Sequence, residues 1–159
     1  MYGTGGWQPA WLPLFRRAGR VYVALDRDAT DRAIALARTF GSRGRVLIPP
    51  EDLGPKGDLN DWLRVEAKDD PAAFRSILER ALATSVTPWA LQIQRLPSDL
   101  APWDLEDHAS VRDLLCEIGH QGPLSRDVHL RLLAERCGVA LPALQEAARE
   151  FAQSAETEQ

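Results

Sequence analysis

Cysteine is scarce in this chain: Cys116 and Cys137 are the only two among 159 residues, and no C-x-x-C spacing joins them. His108, His120 and His129 stand at no zinc-ligand spacing from either cysteine. A disulfide scaffold and a zinc site are therefore not expected, and both thiols read as reduced core residues. No apolar run approaches the length needed to span a bilayer, and the start lacks the basic-then-apolar pattern of a secretion signal. A cytoplasmic setting with no membrane partner is the expectation. Internal repeats and low-complexity tracts are absent as well. The opening "GTGG" fits neither G-x-G-x-x-G nor G-x-x-x-x-G-K-[ST], so it reads as a turn and not as a phosphate-cradling loop.

What is present is an ordinary globular composition, 45% hydrophobic and 26% charged, long enough for one core and an appendage. The net charge of -4 hides an asymmetry. Residues 1–64 hold ten Lys/Arg against seven Asp/Glu, whereas residues 65–159 hold nine against sixteen. A polyanion would meet the first part, where Arg16, Arg17, Arg20, Arg27, Arg32, Arg38, Arg43 and Arg45 concentrate. The alternative is a solvated arginine-rich surface.

Val21 to Leu25 is a short, wholly apolar run, which predicts a central parallel strand covered on both faces. Ala33, Ala37 and Phe40, with Ile34 and Leu36 alongside, recur at helical spacing up to Gly41, a helix stop. Gly44 then opens a turn into Val46 to Ile48, a second buried strand ended by prolines. Together they predict a parallel β-α-β unit, in which ligands gather outside the carboxyl ends of the strands. Further on, Asp69 or Asp70 caps a helix that begins at Pro71 and carries the stripe Phe74, Ile77, Leu78, Ala81 and Leu82. After a linker marked by Pro88, Pro97 and Pro102, Val111, Leu114, Leu115 and Ile118 mark one helix. "LSRDVHLRLLAERCGVALPALQEAAREF" reads as helix, glycine turn, helix. The polar tail reads as frayed.

Asp26 and Asp28 close the first strand. Two carboxylates two positions apart in an extended segment point the same way, and at roughly 6 Å their repulsion is on the order of 3 kcal/mol at an effective dielectric near 20. Mg²⁺ offsets such repulsion, because it binds one or two carboxylates, several waters and substrate phosphate oxygens. The competing reading is that one aspartate caps the following helix and the other is solvated. "GDLNDWL" adds Asp58 and Asp61 after the next strand, either as a second acidic loop at the same sheet edge or as an Asx turn and helix cap. Trp7 and Trp11, at helical spacing, can stack on bases or pack in the core.

The order of apolar strand, "DRDATDRA", helix, strand and "KGDLNDWL" resembles the Toprim domain, most closely that of bacterial and phage DnaG-type DNA primases. The resemblance implies an α/β fold: a partial Toprim sheet over residues 1–66, a following helix over 67–87, a proline-rich linker over 88–107, a helical region over 108–152 and a disordered tail over 153–159. It also implies Mg²⁺- or Mn²⁺-dependent nucleotidyl transfer that joins ribonucleotides into a primer during DNA replication. Asp26, Asp28 and Asp58 would be the catalytic metal ligands, with Asn60 and Asp61 beside them. Arg16, Arg17, Arg27, Arg32 and Lys56 would contact DNA template or nucleoside triphosphates.

Two departures from the family pattern stand out. Asp31 occupies the position where the family has a glycine opening the helix, and no glutamate precedes Glu51, so the strand carrying the family's catalytic glutamate has no counterpart. The expectation is a truncated primase-like protein, inactive alone, whose partners are a missing N-terminal Toprim segment or a replicative helicase. A reading of another class takes residues 125–151 as a helix-turn-helix DNA-binding module without chemistry. That segment balances Arg126, Arg131, Arg136 and Arg149 against Asp127, Glu135, Glu146 and Glu150, whereas a recognition helix presents a basic surface.

Overall fold

The computed structural model describes residues 6–68, 70–97, 100, 105 and 108–157. The chain divides into two compact units, Met1–Pro88 and Trp89–Gln159. Residues 3–5 of "GTGG", the candidate cap Asp69, Pro102 and the last two residues of the tail lie outside the described residues.

In the first unit, β1 (Val21–Ala24) pairs in parallel with β2 (Gly44–Leu47) in the register Val21↔Gly44 to Ala24↔Leu47, and α1 (Thr30–Arg38) connects them. The expected parallel β-α-β unit is present. Among the described residues, however, β1 has β2 as its one strand neighbour, so it is an edge strand here and not a central one. Beyond β2 a single antiparallel bridge follows: Val46 and Val86 exchange backbone hydrogen bonds of 2.8 and 3.2 Å.

Both sheet faces are covered, as the apolar runs require. On one, Tyr22, Ala24 and Leu47 join Trp62, Leu63, Ala67, Ile77 and Ala81 from α2 (Leu59–Ala67) and α3 (Pro71–Ala83). On the other lies α1, brought close by Gly44. A Cβ at Gly44 would sit 2.0 Å from the Ala37 carbonyl oxygen. Gly44, read from sequence as a turn, is thus the first residue of β2, and close helix approach is its reason for being glycine. Asp70 caps α3 by accepting from the Ala72 N–H at 2.9 Å, with Pro71 in the first turn. Before β1, a 3-10 helix (Pro9–Phe15) sets Trp7 against Trp11, Phe15 and Phe40, with ring centroids 5.5–5.9 Å apart. The tryptophan pair therefore packs on the fold, with Trp11 partly exposed.

The second unit is helical: α4 (Pro88–Arg95), α5 (Ala109–Gly119), α6 (Pro123–Cys137) and α7 (Leu141–Thr157). Val111, Leu114, Leu115 and Ile118 of α5 meet Leu130 and Leu133 of α6 and Leu144 and Ala148 of α7 in one core. Full burial of each such side chain is worth about 1.5–3 kcal/mol. Gly138 ends α6 in the left-handed conformation, φ 67°, and its N–H caps the Ala134 carbonyl at 2.9 Å.

Two boundaries differ from expectation. Residues 88–95, read as linker, form α4, because Trp89 and Ile93 one turn apart, followed by Leu96, bury into this core. The Trp89 indole N–H donates to Glu117 at 3.0 Å. Residues 153–157, read as a disordered tail, continue α7, where Ala, Gln and Glu are good helix formers and the Ser154 hydroxyl donates to the Glu150 carbonyl at 3.0 Å. Cys137 is a buried core residue and Cys116 is half-buried, and neither forms a disulfide. Burial pushes both thiols up, and Glu117 and Asp113 push Cys116 further.

Candidate functional site

Asp26 and Asp28 follow β1 after Leu25, with Asp26 just before and Asp28 within a short 3-10 turn (Arg27–Ala29) that leads into α1, so the pair does not lie in the one extended segment expected. The helix-cap reading of this pair is not what the structure forms. Asp26 precedes the turn without a capping side-chain hydrogen bond, the N-cap of α1 is Ala29, and both aspartates are exposed.

What holds the turn in place is backbone. The Arg27 N–H donates to the Gly57 carbonyl at 3.2 Å, and the Asp28 N–H donates to the Pro55 carbonyl at 2.8 Å. These bonds dock the aspartate turn against the "GPKGD" loop, so the two acidic segments lie side by side at the carboxyl edge of the parallel pair. The loop fits because its glycines allow it. Gly54 has φ 74°, and a Cβ at Gly57 would come within 2.5 Å of the Leu53 Cβ.

Asp58 is placed at this edge and is also a helix cap. Its Oδ1 accepts from the Asp61 N–H at 2.7 Å, and Asp61 Oδ2 accepts from the Asp58 N–H at 3.4 Å, a capping box at the start of α2. The capping alternative is therefore realised for Asp58, which leaves Oδ2 of its carboxylate outside the box. Among the described residues, no group of three or more His, Cys, Asp or Glu side chains is spaced to hold a metal ion. The pair Asp26 and Asp28 supplies hard oxygen donors of the number that Mg²⁺ takes from a protein when water and phosphate complete its shell.

The cationic candidates divide. Lys56 is exposed between Pro55 and Gly57, the two residues that hold the aspartate turn, and Arg32 is exposed in the first turns of α1. Both stand at the acidic edge. Arg16 and Arg17 precede β1 and so lie at its amino end, roughly 13 Å away across four residues of strand. Their surroundings are set by Arg43, whose Nη1 donates to the carbonyls of Phe15 at 2.8 Å, Arg16 at 3.1 Å and Ala18 at 3.0 Å. Arg45 likewise donates to the Ser42 and Gly44 carbonyls, and burial, with Arg20 nearby, lowers its pKa.

Arg27, expected to contact nucleic acid, is occupied otherwise. Its Nη1 donates to the Pro49 carbonyl at 2.9 Å and its Nη2 pairs with Glu51 at 2.5 Å. It ties the aspartate turn to the segment after β2, over a separation of 22 to 24 residues that no local pattern encodes. Sequence reasoning missed this role, and the roles of Arg43 and Gly57, for that reason. No family model matches the chain, and no curated protein or solved structure matches it.

Proposed function

We propose that the first unit is a Toprim-like, primase-type module in which Asp26 and Asp28 hold Mg²⁺ or Mn²⁺ for phosphoryl chemistry on nucleotides. One observation supports this above others: the hydrogen bonds from Arg27 and Asp28 to Gly57 and Pro55 draw two acidic loops to the carboxyl edge of a parallel sheet. When bound, the ion would supply charge neutralisation on a triphosphate. Asp58, through Oδ2, would orient water or the ion from its outer side. Lys56 and Arg32 would bind phosphate oxygens at the same edge, and Arg27 would keep the loops in register. Nucleotidyl transfer for primer synthesis, on a DNA template, is the reaction this reading favours.

Isothermal titration with Mn²⁺ tests it. The native chain is expected to bind weakly and saturably, and the Asp26→Asn, Asp28→Asn double variant is expected to lose that binding. Equal binding by both would sink the assignment. Incorporation of labelled ribonucleotides is expected only when the N-terminal half of a related primase, with its glutamate strand, is fused upstream. Robust synthesis by residues 1–159 alone would show that the glutamate is dispensable.

A further inference from the structure

The second unit contains a cleft that the proposed metal chemistry does not use. It has a volume of about 290 Å³ and is lined by Pro123, Arg126, Asp127 and Leu130 of α6 and by Gln145 and Arg149 of α7. Residues 123, 126, 127 and 130 share one face of α6, and 145 and 149 share one face of α7. Among the lining residues Leu130 is buried, and the side chains of Arg126, Arg149 and Gln145 are the ones that carry N–H donors.

Its one acid is already engaged. Arg131, a turn further along α6, donates Nε to Asp127 Oδ2 at 2.8 Å and Nη2 to Oδ1 at 3.3 Å. No ion pair neutralises Arg126 or Arg149 among the described residues. Arg126 makes only a long contact, 3.5 Å, to the Gly119 carbonyl. The adjoining start of α6 adds to the positive field: its N-cap is Gly122, which offers no capping side chain, and its first turn has no acid. Two like charges facing one cleft repel each other, and an anion between them removes that cost.

We infer that this cleft binds a phosphate group, held by the Arg126 and Arg149 guanidiniums with the Gln145 amide as a third donor. Arginine's planar fork suits phosphate oxygens in bidentate fashion. The volume equals on the order of ten water volumes, room for more than one linked phosphate. The phosphate can come from a free di- or triphosphate or from a nucleic-acid backbone, and the two sources differ in what competes.

The test is side-chain ¹⁵N NMR on the full chain at constant ionic strength, following the arginine Nε–Hε signals during titration with inorganic pyrophosphate. Arg126 and Arg149 are expected to shift together and to saturate. Arg149→Gln, a change at an exposed position, is expected to weaken binding about tenfold, and Arg149→Lys to recover part of the loss. A single-stranded oligonucleotide that displaces pyrophosphate and shifts the same two signals assigns the site to a nucleic-acid backbone. Pyrophosphate binding unaffected by the oligonucleotide assigns it to free phosphates. Shifts that never saturate, or that spread equally over Arg16, Arg17 and the other arginines, overturn the inference. So does unchanged affinity in Arg149→Gln with the helical spectrum intact.

Discussion

The two units of this chain are held together by different means. The helical unit rests on an apolar core to which each helix contributes residues at helical spacing, and two long-range side-chain hydrogen bonds, from Trp89 to Glu117 and from Arg136 to the Leu96 carbonyl, tie α4 and the residue after it to that core. Among the described residues the α/β unit has two short strands and one bridge, and it fastens its loops with arginine guanidiniums on backbone carbonyls. Arg43 holds the segment before β1, and Arg27 holds the segment after β2. Dry packing tolerates little local rearrangement, whereas a loop edge tied by hydrogen bonds keeps carboxylates exposed and available. The candidate metal pair sits in the second kind of structure.

The comparison breaks most visibly in the helical core. Leu133, fully buried on α6, belongs to the core shared with residues of α5 and α7. Leu133→Ala is expected to cost about 3 kcal/mol, read as a lower urea midpoint for the loss of helical ellipticity. A cost near that of a surface change would mean that the core is not packed as described.

The α/β unit should respond to an arginine in a comparable way, although with a smaller loss. Arg43→Met keeps the apolar stem and removes three carbonyl contacts, for an expected loss of about 2 kcal/mol. Faster amide exchange should be confined to residues near Phe15 to Ala18. A substitution without effect there would erase the distinction drawn between the units.

Asp58 sharpens the site itself, because its cap and the proposed ion contact can be separated. Asp58→Ala removes a helix cap and is expected to cost about 1 kcal/mol. Asp58→Asn retains the cap and should leave the melting temperature nearly unchanged. If Asp58 also serves the ion, both variants weaken Mn²⁺ binding. If it is only a cap, Asp58→Asn binds as the native chain does.

The smallest effect belongs to pH. Cys137 is buried, and its folded-state pKa lies above the ordinary thiol value. The unfolded chain therefore releases this proton first, so the stabilisation is complete below the ordinary thiol pKa and is lost as pH rises through the folded value. Urea melts from neutral pH into the alkaline range should show a downward slope for the native chain that is shallower in Cys137→Ala. An unchanged slope would place the thiol in water in the folded state.

Among the described residues, no helix is long and apolar enough to cross a membrane.

Local pattern carried a large part of this fold. Val111, Leu114, Leu115 and Ile118 recur at the helical period, Gly138 stops α6, Asp70 and Pro71 start α3, and the apolar runs ending at Asp26 and at Pro49 are the two parallel strands. Each of these depends on residues within a turn or two of one another, and such interactions are written in the order of the chain. What made Asp26, Asp28 and Asp58 candidates was legible in the same way, as carboxylates placed after apolar runs. Where these groups stand was decided by contacts across many residues. Trp89 and Ile93 make a helix of a proline-marked stretch because a core lies ready to receive them. Gly44 is a strand residue because α1 passes against it, and Arg27 is a tie because Pro49 and Glu51 fold back within its reach. Asp58 caps α2 while Asp26 leaves its own turn uncapped, a difference set by which backbone N–H groups the tertiary fold presents to each carboxylate.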